Sequence, residues 1–328
     1  MSLDAVDDAR ETGRTAPPTG GALGAALIVV AAVCFGTLGP VARYADDAGV
    51  SSLALVAWRA GIGATATLLL LAGLAVVGGR RPQRPRDIPA RQRWFVVAGA
   101  GANLVLNLAM FVAFVRIEIG LALLIFYLFP AFVAVASVLW FDDRLDTLRW
   151  TALGISMLGL LLTLVGAGEL GALDPLGIGL AILAAFAQAF YVLAARHGFP
   201  DIQPIEAATT TMGLAAIGYV VIAILIGQVA ALGVPLRSPE ALSAVLAAGL
   251  VGAAVPTLCF ITGIRLLGAP RAAILATLEP VVGVALSAWL LNEQPSPIQL
   301  FGGSLILAAA LLLQVRGRGA AEHEAVAA

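Results

Sequence analysis

Apolar residues occur along this chain in ten runs of bilayer length, separated by short polar or turn-forming stretches. A hydrocarbon core of ~30 Å needs ~20 residues of α-helix. The alternation therefore predicts ten membrane-spanning helices and no soluble domain, because even the longest connection is short. The predicted spans are residues 22–43, 53–78, 94–115, 119–140, 150–166, 176–195, 206–227, 242–266, 271–291 and 298–315.

The sequence repeats itself at a spacing of about 150 residues. Leu121 to Asp143 reads LALLIFYLFPAFVAVASVLWFDD and Arg271 to Glu293 reads RAAILATLEPVVGVALSAWLLNE, so that Pro130 aligns with Pro280. Ten spans in two copies give five helices per copy, and an odd number makes the second copy enter the membrane from the opposite side. The sequence thus predicts an all-α membrane protein with ten transmembrane helices in two inverted five-helix repeats. This architecture is typical of secondary transporters.

Composition supports a membrane protein and removes several functional classes. Sixty per cent of the residues are hydrophobic and only 12% are charged, which is more apolar surface than a soluble core can bury. The chain contains no lysine, since all 19 basic residues are arginine, and this excludes a Walker A ATPase. A net charge of −1 gives no reason to expect a nucleic-acid partner.

Arginines in the connecting segments predict the orientation. With both termini on one side, fifteen arginines lie on that side and only Arg43, Arg116 and Arg237 lie on the other. The positive-inside rule then places both termini in the cytoplasm, with the chain in the cytoplasmic (inner) membrane. The expected organisation is a disordered tail over 1–20, a first repeat over 21–166, a second over 167–315, and a cytoplasmic tail over 316–328.

The repeated pattern resembles EamA-type members of the drug/metabolite transporter superfamily. In both copies a central proline is followed by an aliphatic helix, an acidic residue, a short loop and a glycine-containing helix; the second copy reads LEPVVGVALSAWLLNEQPSPIQLFGGSLIL. The glycine-rich sixth helix (GIGLAILAAFAQAFYVLAAR) and the arginine in the second are also similar to that family. Asp142-Asp143 and Gln188 depart from it, where relatives often have Glu and an aromatic residue. The resemblance implies transport of a small polar metabolite: export of amino acids or drugs in many relatives, uptake of vitamins or nucleotide precursors in others.

Glu279 is the strongest candidate for a substrate-binding residue. It lies ~12 Å into the ninth predicted helix, near the midplane, where a carboxyl group is costly unless it faces a cavity or a partner. It could carry a coupling proton or receive a substrate ammonium group. The alternative is a structural anchor that pairs with Arg59. Arg59 follows the interfacial Trp58, and a snorkelling or packing role is favoured there over substrate contact.

Further candidates are polar residues and prolines within the spans. Asn103 and Asn107 share one face of the third helix, and Gln188 and Tyr191 share one face of the sixth; each pair suits either interhelical hydrogen bonding or a cavity wall. Single polar candidates are Tyr127, Thr37 and Thr257. Prolines in mid-span free a backbone carbonyl, so they are either hinges beside the cavity or static kinks. These prolines are Pro130, Pro256 and Pro280.

Two rival functions can be weighed from the sequence. The segment from Asp142 to Asp146 spells D-D-x-x-D, a magnesium–diphosphate motif of membrane prenyltransferases, but no inner loop supplies the second aspartate cluster that this chemistry needs. The charges are better interpreted as a solvated helix end. A passive facilitator is the other rival. The sequence therefore favours a secondary carrier that exports amino acids or related compounds, with no catalytic residue, metal or cofactor; an uptake carrier is the alternative.

Overall fold

The computed structural model describes residues 19–78, 83, 88–117, 119–141, 143, 145–166, 174–290 and 294–327. Within these ranges the secondary structure is helical and contains no strand. The helices are α1 (Thr19–Gly36), α2 (Leu38–Asp47), α3 (Ser52–Gly78), α4 (Ala90–Arg116), α5 (Ile119–Phe126), α6 (Phe129–Phe141), α7 (Thr147–Val165), α8 (Pro175–Leu193), α9 (Pro204–Leu225), α10 (Pro239–Gly249), α11 (Val255–Leu267), α12 (Ala269–Ala276), α13 (Leu278–Leu290) and α14 (Pro297–Ala327). A 3₁₀ segment covers Val229–Leu236, and π-helical turns cover Ala194–Gly198 and Leu250–Ala254.

These helices form ten membrane spans, as the hydrophobic runs predict. Nine helical stretches of the described residues are long and apolar enough to cross a bilayer, and Pro297–Leu313 is a shorter apolar stretch that forms the tenth span. The first span joins α1 and α2, the fourth α5 and α6, the eighth α10 and α11, and the ninth α12 and α13. The predicted fold class is confirmed, and the chain is a multi-pass membrane protein.

The ends of the spans differ from the predicted ones by a few residues, with one larger difference. The helix α14 continues to Ala327, well beyond the predicted end at 315. Alanine and glutamate are common in this tail and favour helix even outside the apolar run. The tail predicted for 1–20 lies almost wholly outside the described residues, as do Asp142 and Arg144 of the D-D-x-x-D motif.

Span-to-span packing has two-fold symmetry. The most extensively packed pairs are the first and eighth spans, second and seventh, third and sixth, and fifth and tenth. If each span of one repeat is exchanged for its equivalent five spans away, the pairs two–seven and five–ten map onto themselves, and one–eight maps onto three–six. The two repeats are therefore related by a pseudo-two-fold axis, as inverted repeats require.

Glycine allows the closest of these approaches. A Cβ atom added to Gly159 of α7 would lie 2.6 Å from the carbonyl oxygen of Gly302 in α14, and one added to Gly302 would lie 2.5 Å from the oxygen of Gly159. Small residues let lipid-embedded helices approach closely, and the gain is van der Waals packing. The fifth and tenth spans thus form a tight pair.

The start of the first span and the end of the tenth lie on the same side of the bundle, because ten spans alternate in direction. We call this side the terminal face and the other the opposite face. The first, third, fifth, seventh and ninth spans run from the terminal face to the opposite face. Depths of site residues below are measured from these faces.

Candidate functional site

Three spans are interrupted near mid-membrane at the same short motif. The first span breaks at Thr37, the fourth at Tyr127 and Leu128, and the ninth at Thr277. Each break opens a four-residue sequence with leucine second and proline fourth: TLGP at 37–40, YLFP at 127–130 and TLEP at 277–280. The motif at 127–130 is equivalent to that at 277–280 in the repeat.

Proline explains why the helix breaks three residues before it. The ring has no N–H and clashes with the carbonyl group four residues earlier, which frees the carbonyl oxygens of Gly36, Phe126 and Ala276. At two of the breaks a threonine hydroxyl also bonds to the carbonyl group three residues earlier. The Thr37 hydroxyl donates to the Cys34 carbonyl at 2.6 Å, and the Thr277 hydroxyl donates to the Ile274 carbonyl at 2.7 Å. Pro130 and Pro280 therefore lie in the first turn of the second half-helix, directly after each break.

The first and ninth spans cross at their breaks. A Cβ atom added to Gly36 would lie 2.8 Å from Val282 Cγ1 and 3.1 Å from the carbonyl oxygen of Glu279. Only glycine lets the two backbones approach so closely. The two interrupted turns are thereby held side by side, and Glu279 is placed directly beside the first span.

Glu279 lies at the midplane and has Tyr127 as its polar neighbour. Ten residues into the ninth span correspond to a depth of ~15 Å from the terminal face. The Glu279 side chain is only partly buried, whereas Tyr127 is 3% exposed, and its phenol lies near the Glu279 carboxyl group. The repeat-related fourth and ninth spans thus contribute one polar group each to the same point.

Arg59 does not snorkel along its own span but reaches the third span. Its Nη2 donates to Asn107 Oδ1 at 3.0 Å, and Asn107 Nδ2 in turn donates to the Asn103 carbonyl oxygen at 2.7 Å. The guanidinium group interacts electrostatically with Glu279 and with Tyr219 of α9. No ion pair within 4 Å joins Arg59 to Glu279, both of which are described. The carboxyl and guanidinium groups therefore lie within electrostatic range of each other without direct contact.

Packing changes abruptly at Glu279. Every side chain from Ala272 to Leu278 is buried, and among the described side chains from Glu279 to Trp289 none is. The terminal-face halves of the ninth and fourth spans, α12 and α6, pack against each other, while the opposite-face halves α13 and α5 are not in comparable contact in the described part of the chain. Glu279 therefore lies at the boundary between a closely packed terminal-face half and a less buried opposite-face half of the ninth span.

The remaining predicted residues lie at varying distances from this cluster. Tyr191 is buried on the terminal-face side, beside Thr211 and Arg265. Gln188 and Thr257 are partly buried in the sixth and eighth spans. Pro256 is the second residue of α11 and directly follows the π-helical turn Leu250–Ala254. The regular α-helix of the eighth span is therefore interrupted just before this mid-span proline.

Two residues of the site were not singled out by sequence. Thr277 caps the break in the ninth span. Tyr219 is 1% exposed and lies near Arg59 and Asn107, and its hydroxyl has no hydrogen-bond partner. A search for threonine or tyrosine three residues before a mid-span proline would have found Thr277. Tyr219 carries no such signal, because a tyrosine in an apolar run is most often part of the core.

A polar network closes the terminal face. Gln92 and Asp201 exchange two hydrogen bonds: Gln92 Nε2 donates to Asp201 Oδ2 at 2.5 Å, and the Asp201 amide donates to Gln92 Oε1 at 3.3 Å. Arg265 donates to the carbonyl oxygens of Phe199 and Ile202 from the end of the eighth span. The loop after the sixth span is thus tied to the third and eighth. Among the described residues, no three His, Cys, Asp or Glu side chains form a group that could hold a metal ion.

Comparisons with known proteins agree with this architecture. The EamA-like transporter family matches residues 22–165 and again 175–315, one match per repeat. The chain therefore belongs to the EamA-like transporter family, as the sequence pattern suggested. The repeat boundaries at 21–166 and 167–315 stay a prediction.

Relatives and solved structures extend this result without naming a substrate. The chain is 28% identical over 222 residues to an uncharacterized transporter of Synechocystis sp., covering 66% of this chain and 65% of that protein. It is 26% identical over 294 residues to an uncharacterized transporter of Archaeoglobus fulgidus, covering 88% and 95%. A protein crystal structure at 18% identity has a TM-score of 0.73 and covers 89% of this chain and 98% of its own, which shows a shared fold.

Proposed function

We propose that the chain is a secondary carrier that moves a small zwitterionic metabolite, an amino acid or a related compound, across the cytoplasmic membrane, with export as the favoured direction. The observation that carries this proposal is the joint placement of Glu279 and Arg59. They are opposite charges from different repeats, both only partly buried, beside three interrupted spans. A charge inside a membrane span is costly and is typically retained for a substrate or ion.

The geometry of the cluster suits a ligand with a positive and a negative end. The ammonium group would bind the Glu279 carboxylate with the Tyr127 phenol beside it. The carboxylate would bind Arg59, whose guanidinium group uses one N–H on Asn107 and has others to offer. While a zwitterionic substrate is bound, its ammonium group compensates Glu279 and its carboxylate compensates Arg59, so the occupied site has no uncompensated charge.

Alternating access and coupling follow from the same site. The pseudo-two-fold arrangement permits one repeat to rock against the other around a fixed midplane site. Glu279 could bind either a proton or the substrate ammonium, but not both at once. An inward proton would then be exchanged for an outward substrate. With both termini in the cytoplasm, the less buried half of the ninth span beyond Glu279 faces outward, where an exporter releases its substrate.

Counterflow in proteoliposomes tests the proposal. Vesicles containing purified protein are loaded with each unlabelled amino acid in turn, and uptake of the same ¹⁴C-labelled amino acid is measured against protein-free vesicles. At least one amino acid should accumulate transiently, because a carrier shows trans-stimulation. Flux without trans-stimulation would indicate a pore, and no flux for any amino acid would remove this substrate class. Metabolite accumulation in a deletion strain distinguishes export from uptake.

A further inference from the structure

Ser137 is a buried residue of the fourth span, and helical periodicity assigns it to the face that packs against the ninth span. It belongs to α6, the terminal-face half of the fourth span, which packs against α12. Helical periodicity places Ser137 on one face with Pro130, Val133 and Ala134, all of which are buried. Phe132 lies on a different face and stacks on Phe186 of the sixth span, with ring centroids 4.3 Å apart. The face that contains Ser137 is therefore the one turned away from the sixth span.

The Ser137 hydroxyl has no hydrogen-bond partner. Its side chain is 0% exposed, and Oγ makes no hydrogen bond. Serine and threonine within helices normally donate to a carbonyl three or four residues earlier. Ser156 does so, donating to the Leu153 carbonyl at 2.9 Å, and Thr163 donates to the Gly159 carbonyl at 2.8 Å. Ser137 is the exception among these buried hydroxyls, and it lies where two spans must separate if the terminal face is to open.

An unpaired buried hydroxyl destabilises the state in which it is buried. In the closed seam Ser137 pays the full desolvation cost. Once α6 and α12 separate, water can supply the missing hydrogen bonds and the cost disappears. The hydroxyl therefore favours the open seam relative to the closed one. Alanine at the same position would carry no such penalty in either state.

We propose that the α6–α12 seam is the terminal-face gate of the carrier, closed in this structure, and that Ser137 is the residue that keeps this gate easy to open. This inference rests on the proposed function only in requiring that the site be reached in turn from both faces. Ser137 acts on the equilibrium between the two orientations of the site and has no contact with substrate.

Cysteine labelling tests the gate without any substrate. In a background with Cys34→Ala and Cys259→Ala, a single cysteine replaces Ala273, which is 0% exposed in α12. A membrane-impermeant maleimide is added to the terminal face of oriented vesicles, and the labelling rate reports the open fraction of the gate. Ser137→Ala should slow labelling by at least about fivefold, the smallest factor that the loss of an unpaired buried hydroxyl implies.

Ser156→Ala is the matched control. Ser156 is also 0% exposed, but its hydroxyl is paired and lies in the fifth span, so labelling at position 273 should keep its rate. A cysteine at Val284, which is only partly buried in the opposite-face half of the ninth span, should react from the opposite face in both variants. If Ser137→Ala does not fold, Ser137→Gly also removes the hydroxyl and should have the same effect.

Two outcomes would overturn the proposal. One is labelling of Ala273→Cys that is as fast in Ser137→Ala as in the parent. The other is no labelling at position 273 from the terminal face in any variant, which would show that the seam is permanent. Because no substrate is used, a chain that fails every counterflow assay could still pass this test, and a carrier proven by counterflow could still fail it.

Discussion

Replacing Glu279 with glutamine removes the charge and leaves the shape of the side chain. The amide has the size of the carboxyl group beside Tyr127, and the side chain is only partly buried, so we expect the fold to survive. What is lost is a charge-assisted contact with the substrate ammonium. Such a contact contributes ~1.5–3 kcal/mol, so the affinity should fall by roughly 10-fold to 150-fold.

Proton coupling should be lost in the same variant, because glutamine cannot exchange a proton. The measurement is counterflow and pH-gradient-driven flux in proteoliposomes, using an amino acid that the wild-type protein transports. Glu240→Gln makes the same chemical change at an exposed position in the first turn of α10, at the end of the eighth span, and should behave as wild type. Wild-type affinity together with an unchanged response to the pH gradient in Glu279→Gln would refute the role assigned to this residue.

Three further variants test separate parts of the site. Pro280→Ala restores the missing backbone donor and should lower the transport rate several-fold with little change in substrate affinity; no change in either would mean that the break is a static kink. Gly36→Ala places a methyl group 2.8 Å from Val282 and should cost ~1–3 kcal/mol of stability, seen as a lower melting temperature, whereas Gly39→Ala, with nothing within 4 Å of the added atom, should be neutral. Arg59→Lys keeps the charge but not the planar donor fork, so it should weaken binding of carboxylate-bearing amino acids and leave binding of the matching amines unchanged.

Hydrophobic runs and the internal repeat were sufficient to predict the spans, because bilayer thickness fixes helix length and five spans per copy fix the inversion. The alignment of Pro130 with Pro280 also located the two equivalent breaks. The third break, at Thr37, was not predicted, because Pro40 lies only three residues before the predicted end of its run at 43.

Residue contacts within the site were less predictable than the spans. The sequence could place Asn103 and Asn107 on one helix face but could not show that Arg59 would bind Asn107, because helix rotation is set by packing across the bundle. Tyr191 shares a face with Gln188, yet its polar neighbours in the structure are Thr211 and Arg265, on the terminal-face side. Which of two same-face residues lines a cavity depends on the neighbouring helices, and one sequence does not contain that information directly.

In the proposed carrier, the residues of the T/Y-L-x-P breaks serve both as moving joints and as ligand contacts. Carbonyl oxygens freed by the prolines, and the side chains of Tyr127 and Glu279, belong to the turns that would flex. A mutation selected for a new cargo at these positions would therefore also alter how fast the carrier cycles. Specificity and turnover in this chain should evolve together, and variants that broaden one are expected to show a compensating change in the other.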